Sequence, residues 1–154
     1  MQWQFEDLVL RAVDYALSLG AKYAEARYHR VSQSGIATRN GEVIGAEKSF
    51  SAGIAVRVLA EGALGFSSTN VLEWDSVKKA VEEAVGKARA HGKIMRRPIE
   101  LSEERLGRAS YEVVEKKPSA DVGVEEKVSY CSDLWKHASS AVKEARVATL
   151  TAFM

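Results

Sequence analysis

Apolar residues first recur at helical spacing. Phe5, Leu8, Val9, Ala12, Val13, Ala16 and Leu19 form one stripe, which predicts a helix over residues 5–19. Glu6 and Asp7 suit its first turn, and Gly20 stands where a left-handed cap ends a helix. From Ala21 to Thr38 the period falls to two. Ala24, Ala26 and Tyr28 alternate with Glu25, Arg27 and His29, the pattern of a strand with one buried face. Ser34-Gly35 is a place for a bend or bulge in so long a strand.

Asn40-Gly41 is the preferred pair for a type I′ turn. It sets Arg39 opposite Glu42 and Ala37 opposite Ile44. Ile54, Val56 and Val58 point to one face, while Ala55, Arg57 and Leu59 point to the other. Glu61-Gly62 makes the next tight turn and sets Leu59 opposite Leu64 and Arg57 opposite Phe66. The expectation is a four-stranded meander.

A second helix is predicted from about Glu73 to His91, with Val77, Ala80, Val81, Ala84, Val85 and Ala88 as its apolar stripe. Lys78 with Glu82 and Lys79 with Glu83 are expected surface pairs. Residues 93–123 read as a connector. It holds the basic run around Pro98, a short extended segment Tyr111–Val114 and a loop from Lys116 to Asp121. A third helix is expected from about Val124 to Ala145, with Val124, Val128, Cys131, Leu134, Trp135, Ala138, Ala141, Val142 and Ala145 inward. Residues 147–153 read as a terminal strand needing neighbours. The expected fold is thus α+β: an antiparallel meander of about four strands with helices on one face, plus a C-terminal helix and strand. Its expected parts are an amino-terminal module over 1–92, the connector over 93–123, and a helix and strand over 124–154 that begin a second module.

Composition narrows the chemistry. The 154 residues carry a net charge of +1, which gives no general attraction to nucleic acid or anionic membrane. A single cysteine, Cys131, excludes an internal disulfide and a multi-thiolate metal site. The opening residues lack the basic and apolar regions of a signal peptide, and no apolar run approaches the ~20 residues of a membrane-spanning helix. A reducing, cytoplasmic setting is expected.

His29, His91 and His137 have no second ligand at zinc-helix spacing, since Ala138, Ser139, Ser140 and Ala141 follow His137. Cys131 on an inner stripe reads as an inert thiol. A small enzyme using Cys131 and His137 is the alternative, if folding brings them together. Ser67, Ser68, Thr69 and Asn70 could offer hydroxyls and backbone N–H groups to a peptide, although capping is their plainer use. Arg57 could stack on Phe66, pair with a carboxylate or meet a partner's acidic group. Around Pro98, Glu100, Glu103 and Glu104 interrupt the basic run without interleaved aromatics, so a solvated loop is its plainer use, and a nucleic-acid-associated protein is the further alternative.

The run Gly20–Arg27, the run Gly53–Leu59 and the run Gly62–Asn70 together resemble the amino-terminal domain of the TldD/PmbA family, whose members are also called modulators of DNA gyrase. The Ala-rich helix over 76–90 and the run Val124–Val128 continue the resemblance. The resemblance implies longer, cytoplasmic chains that form homo- or heterodimers. It also implies a zinc metallopeptidase branch acting on peptides or unfolded proteins, with its His-Glu-x-x-x-His helix in a carboxy-terminal domain. That motif is absent from these residues, so neither zinc nor catalytic residues are expected here. The expectation is a fragment or short relative that binds a substrate or partner without catalysing cleavage. An exposed strand edge that can add a peptide strand is the expected mode, with Arg57 and residues 67–70 as candidate contacts.

Overall fold

The computed structural model describes residues 5–102, 104, 107, 109–118 and 121–141. Its elements run α1 (Glu6–Ser18), β1 (Tyr23–Arg39), β2 (Glu42–Ala60), β3 (Ala63–Thr69), α2 (Trp74–Gly92) and α3 (Val124–Ala141). The three strands form one antiparallel-turned sheet in the order β1-β2-β3. The chain divides into two compact units, Met1–Val31 with Ser51–Arg105, and Ser32–Phe50 with Leu106–Met154.

Both hairpin turns form as their residues dictate. Asn40 and Gly41 take φ of 54° and 82°, and Glu61 and Gly62 take 51° and 74°, the positive values that a type I′ turn requires at both central positions. The second turn pairs Leu59 with Leu64 and Arg57 with Phe66, as expected. The meander has three strands rather than four, because residues 42–60 form one continuous strand. Gly53 is not a break. A Cβ there would lie 2.8 Å from the Thr69 carbonyl oxygen, so glycine serves the close approach of β3. β1 likewise runs unbroken through Ser34 and Gly35. The Asn40-Gly41 turn sets odd-numbered residues opposite even ones. Farther along, Ala24, Ala26 and Tyr28 share the core with Ile54, Val56 and Val58, even beside even. One strand must therefore carry one extra residue between Tyr28 and the turn.

In the first unit, α1 and α2 cover the face that carries Ile54, Val56 and Val58, all fully buried. Ala12 and Ala16 come from α1, and Val77, Ala80, Val81, Ala84, Val85 and Ala88 from α2. These six residues of α2 are the stripe read from the sequence. Gly65 sets the spacing: a Cβ there would stand 1.9 Å from the Ala84 carbonyl oxygen and 2.7 Å from the Ala88 nitrogen. Gly20, at φ 89°, ends α1, and Arg89 donates to the Leu19 carbonyl just beyond that helix.

The acidic groups of α2 do not take the partners expected from i,i+4 spacing. Glu82 accepts a 2.7 Å hydrogen bond from the Tyr15 hydroxyl. Glu83 accepts one of 2.8 Å from Ser67 and lies 3.7 Å from Lys87. Tertiary partners on α1 and β3 replace Lys78 and Lys79, and the i,i+4 pair that Glu83 keeps is with Lys87.

In the second unit, α3 buries Lys127 and Cys131, one turn apart. Lys127 Nζ donates to Ser34 Oγ at 2.8 Å. Trp135 lies against Gly41, where a Cβ would come within 2.7 Å of its ring, and Ser132 Oγ donates to the Gly41 carbonyl at 3.3 Å. Val124 and Leu134, expected inward, are exposed. Lys127 lies outside the expected stripe and is buried with its amine satisfied by a strand serine. No strand forms at Tyr111–Val114. The last turn expected for α3 and the strand expected at 147–153 lie outside the described residues.

Gly65→Ala must force α2 off the sheet, at a cost of ~1–3 kcal/mol or more, seen as a lower urea midpoint. Gly86→Ala, where a Cβ meets nothing within 4 Å, should leave the midpoint unchanged or raise it by about 1 kcal/mol in stability.

Candidate functional site

The helices cover one face of the sheet in the first unit. The opposite face carries the odd-numbered side chains of β1 and β2 and the even-numbered ones of β3, because Ala55 pairs with Ser68 and Arg57 with Phe66. Its centre is a charged cluster. Arg57 Nη2 lies 2.9 Å from Glu25 Oε1, and the Tyr23 hydroxyl donates to Glu25 Oε2 at 2.7 Å. The hydrogen bond from Tyr23 and the Arg57 guanidinium hold the Glu25 carboxyl below its usual value, against a partial desolvation that acts the other way. In return Glu25 raises both Tyr23 and Arg57. With its side chain about half exposed, Arg57 is an ordered surface residue rather than a core one. Of the uses open to it in sequence, pairing with a carboxylate on its own sheet is the one taken.

Beside this cluster a shallow groove of about 470 Å³ opens on the same face. β1 contributes Arg27 and His29, β2 contributes residues 51–55, and β3 with the following turn contributes Phe66, Ser68, Thr69 and Asn70. The candidate run thus divides. Ser68 and Asn70 are exposed at the groove. Thr69 also lines it while its Oγ1 accepts from the Val71 N–H at 3.1 Å, a local turn bond. Ser67 points to the helix side and is 5% exposed, holding Glu83. Arg27, His29 and Phe66 were not singled out as contacts in sequence. The alternation over 23–29 already put both basic residues on the face opposite Ala24, Ala26 and Tyr28, which was the usable signal.

The outer edge of β3 is partly occupied. Ala60 and Ala63 flank a two-residue turn, so Leu64, Phe66 and Ser68 turn their peptide groups away from β2. Lys87 Nζ donates to the Phe66 carbonyl at 3.2 Å, and His91 Nδ1 lies 3.4 Å from the Leu64 carbonyl. Basic side chains of α2 therefore shield this edge. Strand addition along β3, the mode expected from sequence, would have to displace them.

The residues of the enzymatic alternative do not converge on a recognisable centre. Cys131 is buried and free, while His137 is exposed with Nδ1 2.7 Å from the Asp133 carbonyl of its own helix. Among the described residues, no group of three or more His, Cys, Asp and Glu could hold a metal ion. None of their helices is long and apolar enough to cross a membrane.

Comparison with known proteins bears on the resemblance. Residues 24–88 match the family model described as PmbA/TldA metallopeptidase domain 1. The chain is 25% identical over 130 residues to Metalloprotease MJ0996 of Methanocaldococcus jannaschii, covering 84% of this chain and 29% of that protein. In fold it is similar to two crystal structures named as DNA gyrase modulators. One, from Bacteroides thetaiotaomicron, gives a TM-score of 0.64 at 14% identity, over 95% of this chain and 32% of that one. The other, from Thermotoga maritima, gives 0.62 at 21% identity, over 95% and 31%. Residues 24–88 are thus similar to the first domain of PmbA/TldA metallopeptidases, and the chain spans less than a third of the length of the relatives it matches.

Glu25 has a folded value below its unfolded one. Its contribution to stability is therefore complete above the ordinary carboxylate value of 4.5 and is lost as pH falls through the lowered value. Urea midpoints of the native chain and of Glu25→Gln should differ at pH 7, with the variant weaker, and should converge toward pH 3.

Proposed function

We propose that this chain is a non-catalytic peptide-binding module of a TldD/PmbA-type metallopeptidase. The observation that carries the reading is the uncovered sheet face, with a preformed groove beside an ordered Glu25–Arg57 pair. A peptide laid there would meet an exposed aromatic ring at Phe66 and polar groups of Ser68, Thr69 and Asn70. Arg57 holds the floor in shape through Glu25, and Ser67 supports it from the helix side through Glu83. This arrangement suits extended, unfolded segments, because a shallow groove binds backbone and alternate side chains without requiring a folded partner surface. Bond cleavage belongs, on this reading, to a zinc-bearing carboxy-terminal domain of the TldD kind. That domain acts within a homo- or heterodimer in the reducing cytoplasm, and the module presents substrate to it.

A labelled, uncharged, unstructured peptide should bind the purified chain in a fluorescence anisotropy titration. Ser68→Trp, which fills the groove from an exposed strand position, should weaken binding by about tenfold, or ~1.4 kcal/mol. The purified chain should hold no stoichiometric zinc and release no cleavage product. Hydrolysis by this chain alone, lost in Cys131→Ala or His137→Ala, would replace the binding reading with the enzymatic one.

A further inference from the structure

We infer that the groove selects extended peptides carrying acidic side chains. The inference rests on the peptide-binding reading and adds the charge of the ligand. Arg27 and His29 line the groove from β1, and no Asp or Glu lines it. The neighbouring pocket on the same face is lined by Glu25, Arg27, Ala55, Arg57 and Phe66, so Glu25 is the one carboxylate among the residues lining either. It is already committed, to Arg57 at 2.9 Å and to the Tyr23 hydroxyl at 2.7 Å. One carboxylate against two guanidinium groups leaves the face with an uncompensated positive charge, carried by Arg27 at the groove.

The other lining groups fit the same ligand. Ser51, Ser68 and Asn70 are exposed donors able to meet carboxylate or peptide oxygens. Phe66, 56% exposed, offers a flat apolar surface on the same face as the basic residues. Arg27 and His29 stand two residues apart on one strand and so point the same way. A bound strand repeats its side chains with that same two-residue spacing, so acidic groups at alternate positions would reach both. A basic peptide would bring like charges together on this face, which is how charge discriminates between ligands of equal shape.

Three labelled peptides of equal length, acetylated and amidated, test the assignment against the full chain. One alternates Glu, one Gln and one Lys with the same apolar residues. At low salt the Glu peptide should bind roughly fivefold tighter than the Gln peptide, the Lys peptide should bind weakest, and the gap should narrow with added salt. Arg27→Glu should abolish or reverse the order while the Gln peptide still binds and the circular dichroism spectrum is unchanged. Arg27→Gln, milder for the fold, should remove most of the preference. Equal affinities for the three peptides, each weakened by Ser68→Trp, would overturn the charge assignment and leave the peptide-binding reading standing. Failure of all three to bind would overturn that reading as well.

Discussion

The architecture of the first unit depends on how closely α2 lies on β3. At Gly65 the helix backbone comes within a distance that no Cβ could share, with the Ala84 carbonyl 1.9 Å from where that atom would stand. Ala80, Ala84 and Ala88 keep the contacting helix face small. Together they let Ile54, Val56 and Val58 be buried completely beneath two helices. The same closeness brings Lys87 and His91 to the carbonyls along the outer edge of β3, and Glu83 to Ser67. Seating the helix thus buries one face of the sheet, screens part of one edge and leaves the other face as the accessible surface.

On that uncovered face a different physics operates. Around the exposed Phe66 its side chains are mostly polar or charged, and a local network orders its centre. Glu25 accepts from Tyr23 and pairs with Arg57 across strands, which fixes three side chains that would otherwise sample many rotamers. A surface ion pair of this kind adds little to stability. Under the proposed function its larger effect is preorganisation: a groove floor already in place would lower the ordering cost of binding.

Much of this was legible in the residues because the chemistry was local. Asn40-Gly41 and Glu61-Gly62 specify their turns through positive φ, and the second turn fixes the Arg57–Phe66 register. The stripe from Val77 to Ala88 names the buried face of α2 residue by residue. The rest depended on tertiary partners. Gly53 looks like punctuation in a linear reading, yet its missing side chain answers the Thr69 carbonyl on the next strand. The burial of Lys127 follows from Ser34, far away in sequence, and could not be read from the period of α3. Ser67 and Ser68 are adjacent, yet β alternation sends one to Glu83 and the other to the groove. The resemblance was legible from Gly20–Arg27, Gly53–Leu59 and Gly62–Asn70, and the match over residues 24–88 covers most of those runs. Arg27 and His29 were visible as one strand face, but the groove they line exists only once three strands are assembled.

The central claim is that ligands meet the uncovered sheet face and not the helical one. Backbone amide NMR of the isotopically labelled chain, titrated with an extended peptide, addresses this directly. The account predicts shift changes concentrated at residues 27–29, 51–55 and 66–70, with the α1 and α2 amides little affected. Changes confined to α1 and α2, with the groove residues silent, would contradict it.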